Sequence, residues 1–294
     1  MAKVLIKGKM KIIKLKHSEI DFEKYDKTLL ECKWARVYAM SWYLDIVSPN
    51  WELLCDEDYN IVMPLPKKKK FGIPYLIQPM FCQQLGVFAK SEIEKNQIEN
   101  FYKKLGYYFV IIHGNSFDSM IFSEDKLKPN YFISSKNFEE QQKLFSKNTI
   151  RNLKKADSFN HKIITIEIQE YFNFLTKEAS NIYNEKLQNA LRKIVKKSLD
   201  LGYGKLLATT VENEVSSVVF ILDFNNRIYY LAPASSQKGK EARSMMFIIN
   251  DLIKTSIEQG KIFDFEGSSL EGVERFYKSF GASCEYYGIF KKIL

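Results

Sequence analysis

Two clusters of basic residues, Lys147, Arg151, Lys154, Lys155 and then Arg192, Lys193, Lys196, Lys197, carry most of the charge that could do chemistry in the second half of this 294-residue chain. Residues 147–205 hold 12 Lys and Arg against 6 Asp and Glu, a concentration suited to binding phosphate. The same residues also read as the solvated sides of two amphipathic helices, with Ile150 and Leu153 facing inward on one and Leu187, Leu191 and Ile194 on the other. Two carboxylates follow at Asp264 and Glu266, in a run whose alternation sets Ile262, Asp264 and Glu266 on one face of a strand and Phe263 and Phe265 on the other. A carboxylate at the carboxyl end of a strand can hold or deprotonate an amine. It can equally cap the helix that starts near Ser269, or pair with Arg275.

Other chemistries lack material. His17, His113 and His161 are far apart, which leaves little for a Ser/His triad or a histidine-built metal site, so no metal is expected. Cys32, Cys55, Cys82 and Cys284 match no zinc spacing and do not suggest a disulfide scaffold, so the expected compartment is a reducing cytoplasm. The balance of 46% hydrophobic and 27% charged residues is globular. No apolar run is long enough to span a membrane, and the six lysines of Met1 to Lys16 are interleaved with apolar residues as in a first strand, not a secretory signal. The formal charge of +9 is shared between the halves, with 22 Lys and Arg against 18 Asp and Glu in residues 1–145 and 22 against 17 in 146–294.

Hydrophobic periodicity supplies the elements that must hold these residues. The first half predicts a strand near Lys9 to Leu15, helical segments across Asp26 to Val47, and strands at Trp51 to Cys55, Ile61 to Leu65 and Tyr75 to Val87. The run Lys67 to Lys70 before Gly72 reads as a solvated hairpin tip. A helix from Glu92 to Leu105 stopped by Gly106 and a strand from Tyr107 to His113 follow. The second half predicts a basic helix Ser146 to Ala156, a strand Lys162 to Ile168 and helices across Gln169 to Leu201. A meander Gly204 to Val211, Val215 to Phe224 and Arg227 to Ala234 comes next. Then follow helix Glu241 to Gln259, strand Ile262 to Phe265, helix Leu270 to Phe280 and strand Cys284 to Phe290. This is an α/β (α+β) pattern of mixed sheets flanked by helices, with an expected division into 1–140 and 141–294.

Three stretches, Ser146-Lys-Asn-Thr-Ile-Arg-Asn-Leu-Lys-Lys-Ala156, Phe263-Asp-Phe-Glu-Gly-Ser268 and Val273-Glu-Arg-Phe-Tyr-Lys-Ser-Phe-Gly-Ala282, together with this element order, resemble the GNAT (Gcn5-related N-acetyltransferase) superfamily. The two-domain arrangement is similar to its FemAB-like branch, which includes the Fem-type aminoacyl transferases; the first half matches by element order only and is expected to be a degenerate copy. The resemblance implies tandem GNAT-like domains. It also implies two splayed parallel strands, Arg227 to Ala234 and Ile262 to Phe265, whose gap takes the pantetheine arm of an acyl-CoA. The loop Ser235 to Glu241 would then meet the pyrophosphate. The donor contacts implied are Ala234, Ser235, Gln237, Lys238, Gly239, Lys240 and Arg243. Gly239 stands two residues after Gln237, where the family pattern has three, and Ala242 replaces a second glycine. A plain polar strand-to-helix turn is the other reading of Gln237 to Lys240.

By the same resemblance Tyr277, within Tyr-x-x-x-Gly281, is the acid that protonates the departing thiolate. Fem-type enzymes typically have lysine at this point, whereas here Lys278 is one place later. A tyrosine beside Phe276 and Phe280 is also compatible with simple core packing. The expected function is therefore N-acyl transfer, acetyl in the first instance, from acyl-CoA to a small-molecule or peptide amine, with Glu266 as base and Tyr277 as acid. Two other readings stand beside it: an aminoacyl-tRNA-dependent transferase using the basic segment Lys147 to Lys197, and a non-catalytic binding module with a degenerate donor site.

Overall fold

The computed structural model describes residues 11–267 and 270–293. The chain folds as two compact units, one built from the residues up to Leu127 together with those from Tyr287 on, the other from Lys128–Tyr286. This division falls ahead of the expected 140/141 seam, and the chain's last strand ends in the first unit.

In the first unit β1 (Ile12–Leu15), α1 (Phe22–Glu31), α2 (Ser41–Val47), β2 (Glu52–Asp56) and β3 (Ile61–Leu65) are followed by β4 (Lys67–Lys70), β5 (Ile73–Ile77), β6 (Phe88–Ala89), α3 (Lys95–Lys103) and β7 (Phe109–His113). Residues 9 and 10 of the expected first strand lie outside the described residues. One sheet runs β1–β2–β3–β6, all antiparallel. In a second set β4 pairs β5 antiparallel, β5 pairs β7 parallel, and β7 takes residues 289–293 as an antiparallel partner. Lys67–Lys70 is thus itself a strand and the turn is at Phe71-Gly72, while the strand expected to reach Val87 stops at Ile77 and a loop runs on to β6. The core gathers Leu54, Met63, Leu76, Ile98, Phe101, Val110 and Ile112, the inward positions of these strands and of α3.

The second unit runs β8 (Leu127–Ile133), α4 (Phe138–Lys143), α5 (Lys147–Ala156), β9 (Lys162–Thr165), α6 (Ile168–Ala179), α7 (Glu185–Asp200), β10 (Gly204–Val211), β11 (Glu214–Phe224) and β12 (Arg227–Ser235). Then come α8 (Gln237–Ala242), α9 (Ser244–Glu258), β13 (Ile262–Glu266), α10 (Glu271–Lys278) and β14 (Ser283–Ile293). Its strands lie in the order β8–β13–β12–β11–β10–β9, with β12 and β13 parallel and the other pairs antiparallel. One face carries Ile221, Ile228, Tyr230, Phe263 and Phe265 against Ile248, Ile249, Leu252 and Ile253 of α9, with Leu153 of α5 and Phe276 of α10 packed on the same cluster. The alternate residues Phe220, Leu222 and Tyr229 are also buried but lie outside that cluster, on the side covered by α6 and α7. α5 begins at Ser146, whose hydroxyl accepts the Thr149 N–H.

Candidate functional site

β12 and β13 pair only over Arg227↔Ile262, Ile228↔Phe263 and Tyr229↔Asp264. Beyond that point each strand breaks its own regularity. On β12 the register against β11 shifts between Val218 and Phe220, Ala232 adopts φ +42°, and Pro233 has no N–H to offer. On β13 the register against β8 shifts between Asp264 and Glu266, Glu266 adopts φ +61°, and its N–H turns back to Asp264 Oδ1 at 2.8 Å. A left-handed backbone is costly for a residue with a side chain, and two such residues at the end of one strand pair mark a built feature. The bulge also breaks the alternation expected of Asp264 and Glu266. Asp264 is fully buried and accepts Arg227 Nη1 at 2.5 Å and Asn130 Nδ2 at 3.4 Å, while Glu266 sits partly exposed at the open end. Arg275 pairs with Glu271 at 3.3 Å. Ser268 and Ser269, the expected helix caps, lie outside the described residues.

Tyr277 comes to this same end. Its ring stacks on Phe265, with centroids 4.7 Å apart and planes 27° apart. Burial, then the Glu266 carboxylate, then Tyr183 and Asp264 hold its phenol well above the usual tyrosine range, so it keeps its proton at neutral pH. Burial and Glu266 push Tyr183 up likewise. Tyr230 is buried beside these groups, and Tyr171 donates its hydroxyl to the carbonyl of Ala232 at 2.7 Å, filling a backbone acceptor that the splay would otherwise leave open. The structure therefore brings the two expected catalytic residues together. It adds Tyr171, Tyr183 and Tyr230, which no sequence signal separates from the chain's other tyrosines, 17 in all.

The expected donor loop is built differently. Gln237 to Ala242 is a short helix capped by Ser236, whose hydroxyl accepts the Gly239 N–H at 3.1 Å. Gly239 lies against β11, where a Cβ would run into the Ser216 carbonyl, so the glycine serves close packing. Lys238 is committed to Glu212 at 2.7 Å and Glu214 at 3.0 Å, and Gln237 reaches Glu241 at 2.8 Å. Arg243 breaks the helix at φ +62° and donates to Asn152 Oδ1 and to the Lys240 carbonyl. The Ser235 hydroxyl is hydrogen-bonded to that of Ser217 at 2.8 Å, and Ala234 is buried in the β11 pairing. The side chains of Ser235, Gln237, Lys238 and Arg243 thus have partners within the protein, while the Lys240 side chain is exposed. The two basic clusters also part: α5 packs on α9 and α7 on α6 and β10, covering opposite faces of the sheet, and Arg192 lies over the Phe172 ring at 4.0 Å.

A cleft of about 650 Å³ opens between the start of α5, α9 and α10, lined among others by Asn148, Asn152, Met246, Arg275, Phe276 and Lys278. Met246 and Phe276 supply apolar lining, and its two cations, Arg275 and Lys278, pair with Glu271 and Glu274. A second cleft of about 620 Å³ lies between residues 158–162 and 210–213. Neither is lined by Glu266 or Tyr277. Among the described residues no cluster of His, Cys, Asp and Glu could hold a metal, and no helix is long and apolar enough to cross a membrane.

No family model and no curated protein matches the sequence. Solved structures do match over nearly the whole chain. FemX aligns with a TM-score of 0.69 at 13% identity, covering 97% of this chain and 98% of its own. L-PGS from Bacillus licheniformis gives 0.57 at 13% over 92% and 91%, and a tandem GNAT protein from the clavulanic acid biosynthesis pathway 0.52 at 7% over 96% and 98%. At such identities the likeness is one of fold. The chain has a tandem GNAT-like fold, each unit a mixed, largely antiparallel arrangement of strands flanked by helices.

Proposed function

We propose that this chain is an acyl or aminoacyl transferase that acts on an amine, with its reacting centre at the open end of the β12–β13 splay. The observation that carries the reading is the meeting there of a carboxylate in strained backbone, Glu266, with a phenol that holds its proton, Tyr277. In the step we assign, the acceptor nitrogen gives a proton to Glu266 and bonds to the donor's carbonyl carbon. The tetrahedral intermediate then loses its leaving group, which takes the Tyr277 proton, and Glu266 returns its own to solvent as Tyr277 is reprotonated.

Acidity bears on the choice of donor. A thiolate, with a parent pKa near 8.5, leaves without help, and a phenol raised above the ordinary value near 10 is a poor acid toward it. An alkoxide is far more basic, and a reluctant phenol is matched to it. Together with the engaged side chains of Gln237, Lys238 and Arg243, this favours an oxygen ester such as aminoacyl-tRNA, with the exposed Lys147, Arg151, Lys154 and Lys155 of α5 beside the cleft as phosphate contacts. Acyl-CoA, supported by Tyr277 in its Tyr-x-x-x-Gly stretch, is the second reading.

Thermal-shift titrations of the intact protein separate the two. The ester reading expects stabilisation by tRNA, with a salt slope that falls by about 1 for each α5 cation changed to glutamine. It also expects no response to acetyl-CoA. Stabilisation by acetyl-CoA alone would move the donor to a thioester, and silence with both would leave the non-catalytic module.

A further inference from the structure

Among the described residues of the first unit, the hairpin β4–β5 is where an aromatic tip, an aliphatic neighbour and a lysine run coincide in solvent. Phe71 is 92% exposed and Ile73 62%, and Lys68, Lys69 and Lys70 are all exposed. Among the described residues no carboxylate pairs with any of these three lysines, whereas Lys67 at the base is held by Glu52. The turn itself is Phe71-Gly72 with φ +50° and +81°. A two-residue turn of that hand suits a hairpin, but its first position favours Asn, Asp or Gly. A phenylalanine there carries backbone strain and exposes a large apolar ring.

Register shows how the lysines and apolar groups are mixed. Lys70 faces Ile73 and Lys68 faces Tyr75 across the ladder, so one face of the hairpin alternates cation and apolar side chain toward the tip. The Lys70 ammonium lies 5.5 Å from the Phe71 ring centroid. Lysine stems reach past apolar surface while their ammonium groups stay wet.

We propose that this hairpin is a membrane-contact element: Phe71 and Ile73 enter the interfacial layer of an anionic bilayer, and Lys68, Lys69 and Lys70 lie among its phosphate headgroups. Three features favour a bilayer over a nucleic acid. The second apolar tip residue is aliphatic and cannot stack on a base. The cations are all lysines, point charges suited to a diffuse anionic surface, with no arginine fork for defined phosphates. The ring and the charges share one protruding turn, so both engage a flat surface at once.

The test uses the full chain and vesicles of phosphatidylcholine with about 30% phosphatidylglycerol, against pure phosphatidylcholine. Co-sedimentation should appear with the anionic vesicles and weaken as salt rises. It should fall about five-fold for each of Lys68→Gln, Lys69→Gln and Lys70→Gln, and markedly for Phe71→Ser. Each site is exposed, so an unchanged melting temperature shows that the fold survives. In Phe71→Trp the indole emission should shift to the blue on anionic vesicles. An unshifted indole, equal binding to both vesicles, or loss of tRNA binding rather than vesicle binding in the lysine variants would overturn the proposal. Transferase activity on soluble substrates is read separately, so failure here leaves the catalytic reading untouched.

Discussion

The Tyr277 ring lies stacked on Phe265 of β13, 4.7 Å between centroids, and burial and the Glu266 carboxylate hold its phenol above the usual tyrosine range. Tyr277→Phe keeps the stack and removes only the proton. Turnover should drop by about 10²- to 10⁴-fold with KM nearly unchanged, the range set by a lost general acid. Melting temperature should hardly move. Equal loss in turnover and stability would mean that the hydroxyl serves the fold. Glu266→Gln tests the other partner, and its activity should recover with rising pH as the acceptor amine loses its proton in solution.

Arg227 and Asp264 form the buried charge pair under the site. Nη1 of Arg227 also reaches Glu285 at 3.3 Å, and Asn130 Nδ2 donates to Glu285 at 3.0 Å. Burial works against the guanidinium's charge, but Asp264, Tyr229 and Glu285 outweigh it and raise its pKa. Asp264→Ala leaves a buried cation with one weaker partner and should cost about 3–5 kcal/mol by chemical denaturation. The double change Arg227→Met with Asp264→Leu should restore much of that loss. A single variant that costs under about 1 kcal/mol would show that water reaches the pair.

Much of the second unit is legible in its sequence because its periods are clean. The β10–β12 meander alternates, and Ile248, Ile249, Leu252 and Ile253 recur along one helical face. β8 is not legible, since Pro129 and Asn130 interrupt it, and only the three-dimensional pairing explains a buried asparagine beside Arg227 and Asp264. The site is half legible. Glu266 and Tyr277 are suggested by resemblance, but the left-handed backbone at Glu266 and the neighbouring tyrosines depend on strands that part in space. Gly239 looks the same in sequence whether it cradles a phosphate or packs on a strand, and Lys238 does not announce Glu212 and Glu214 as partners.

Gly239→Ala follows from that packing. The added methyl must displace the Ser216 carbonyl on β11, and overpacking of this kind costs about 1–3 kcal/mol. Lys238→Ala, by contrast, removes an exposed pair network and should change stability by under about 1 kcal/mol. Donor binding should be indifferent to Lys238→Ala. A large loss of donor affinity in that variant would return the segment to its expected role.

Asp118 in the first unit makes stability depend on pH. Its Oδ2 accepts the Val87 N–H at 2.9 Å and the Tyr102 hydroxyl at 2.8 Å, while Oδ1 is buried with no hydrogen-bond partner among the described residues. Burial pushes its carboxyl up to about 7, against the hydrogen bonds from Val87, Tyr102 and Asn115 that favour the charged form. Between the unfolded value near 3.8 and about 7 the folded state holds a proton that the unfolded state has lost. This contribution is complete below pH 4 and is lost as pH rises through 7, at about 1.4 kcal/mol per unit. Asp118→Asn lacks the titration and can still accept both hydrogen bonds. The difference between the variant's and the parent's unfolding free energy should therefore grow in the variant's favour from pH 4 to 7 and level off above. A difference that stays constant across that window would show that the carboxyl titrates alike in both states.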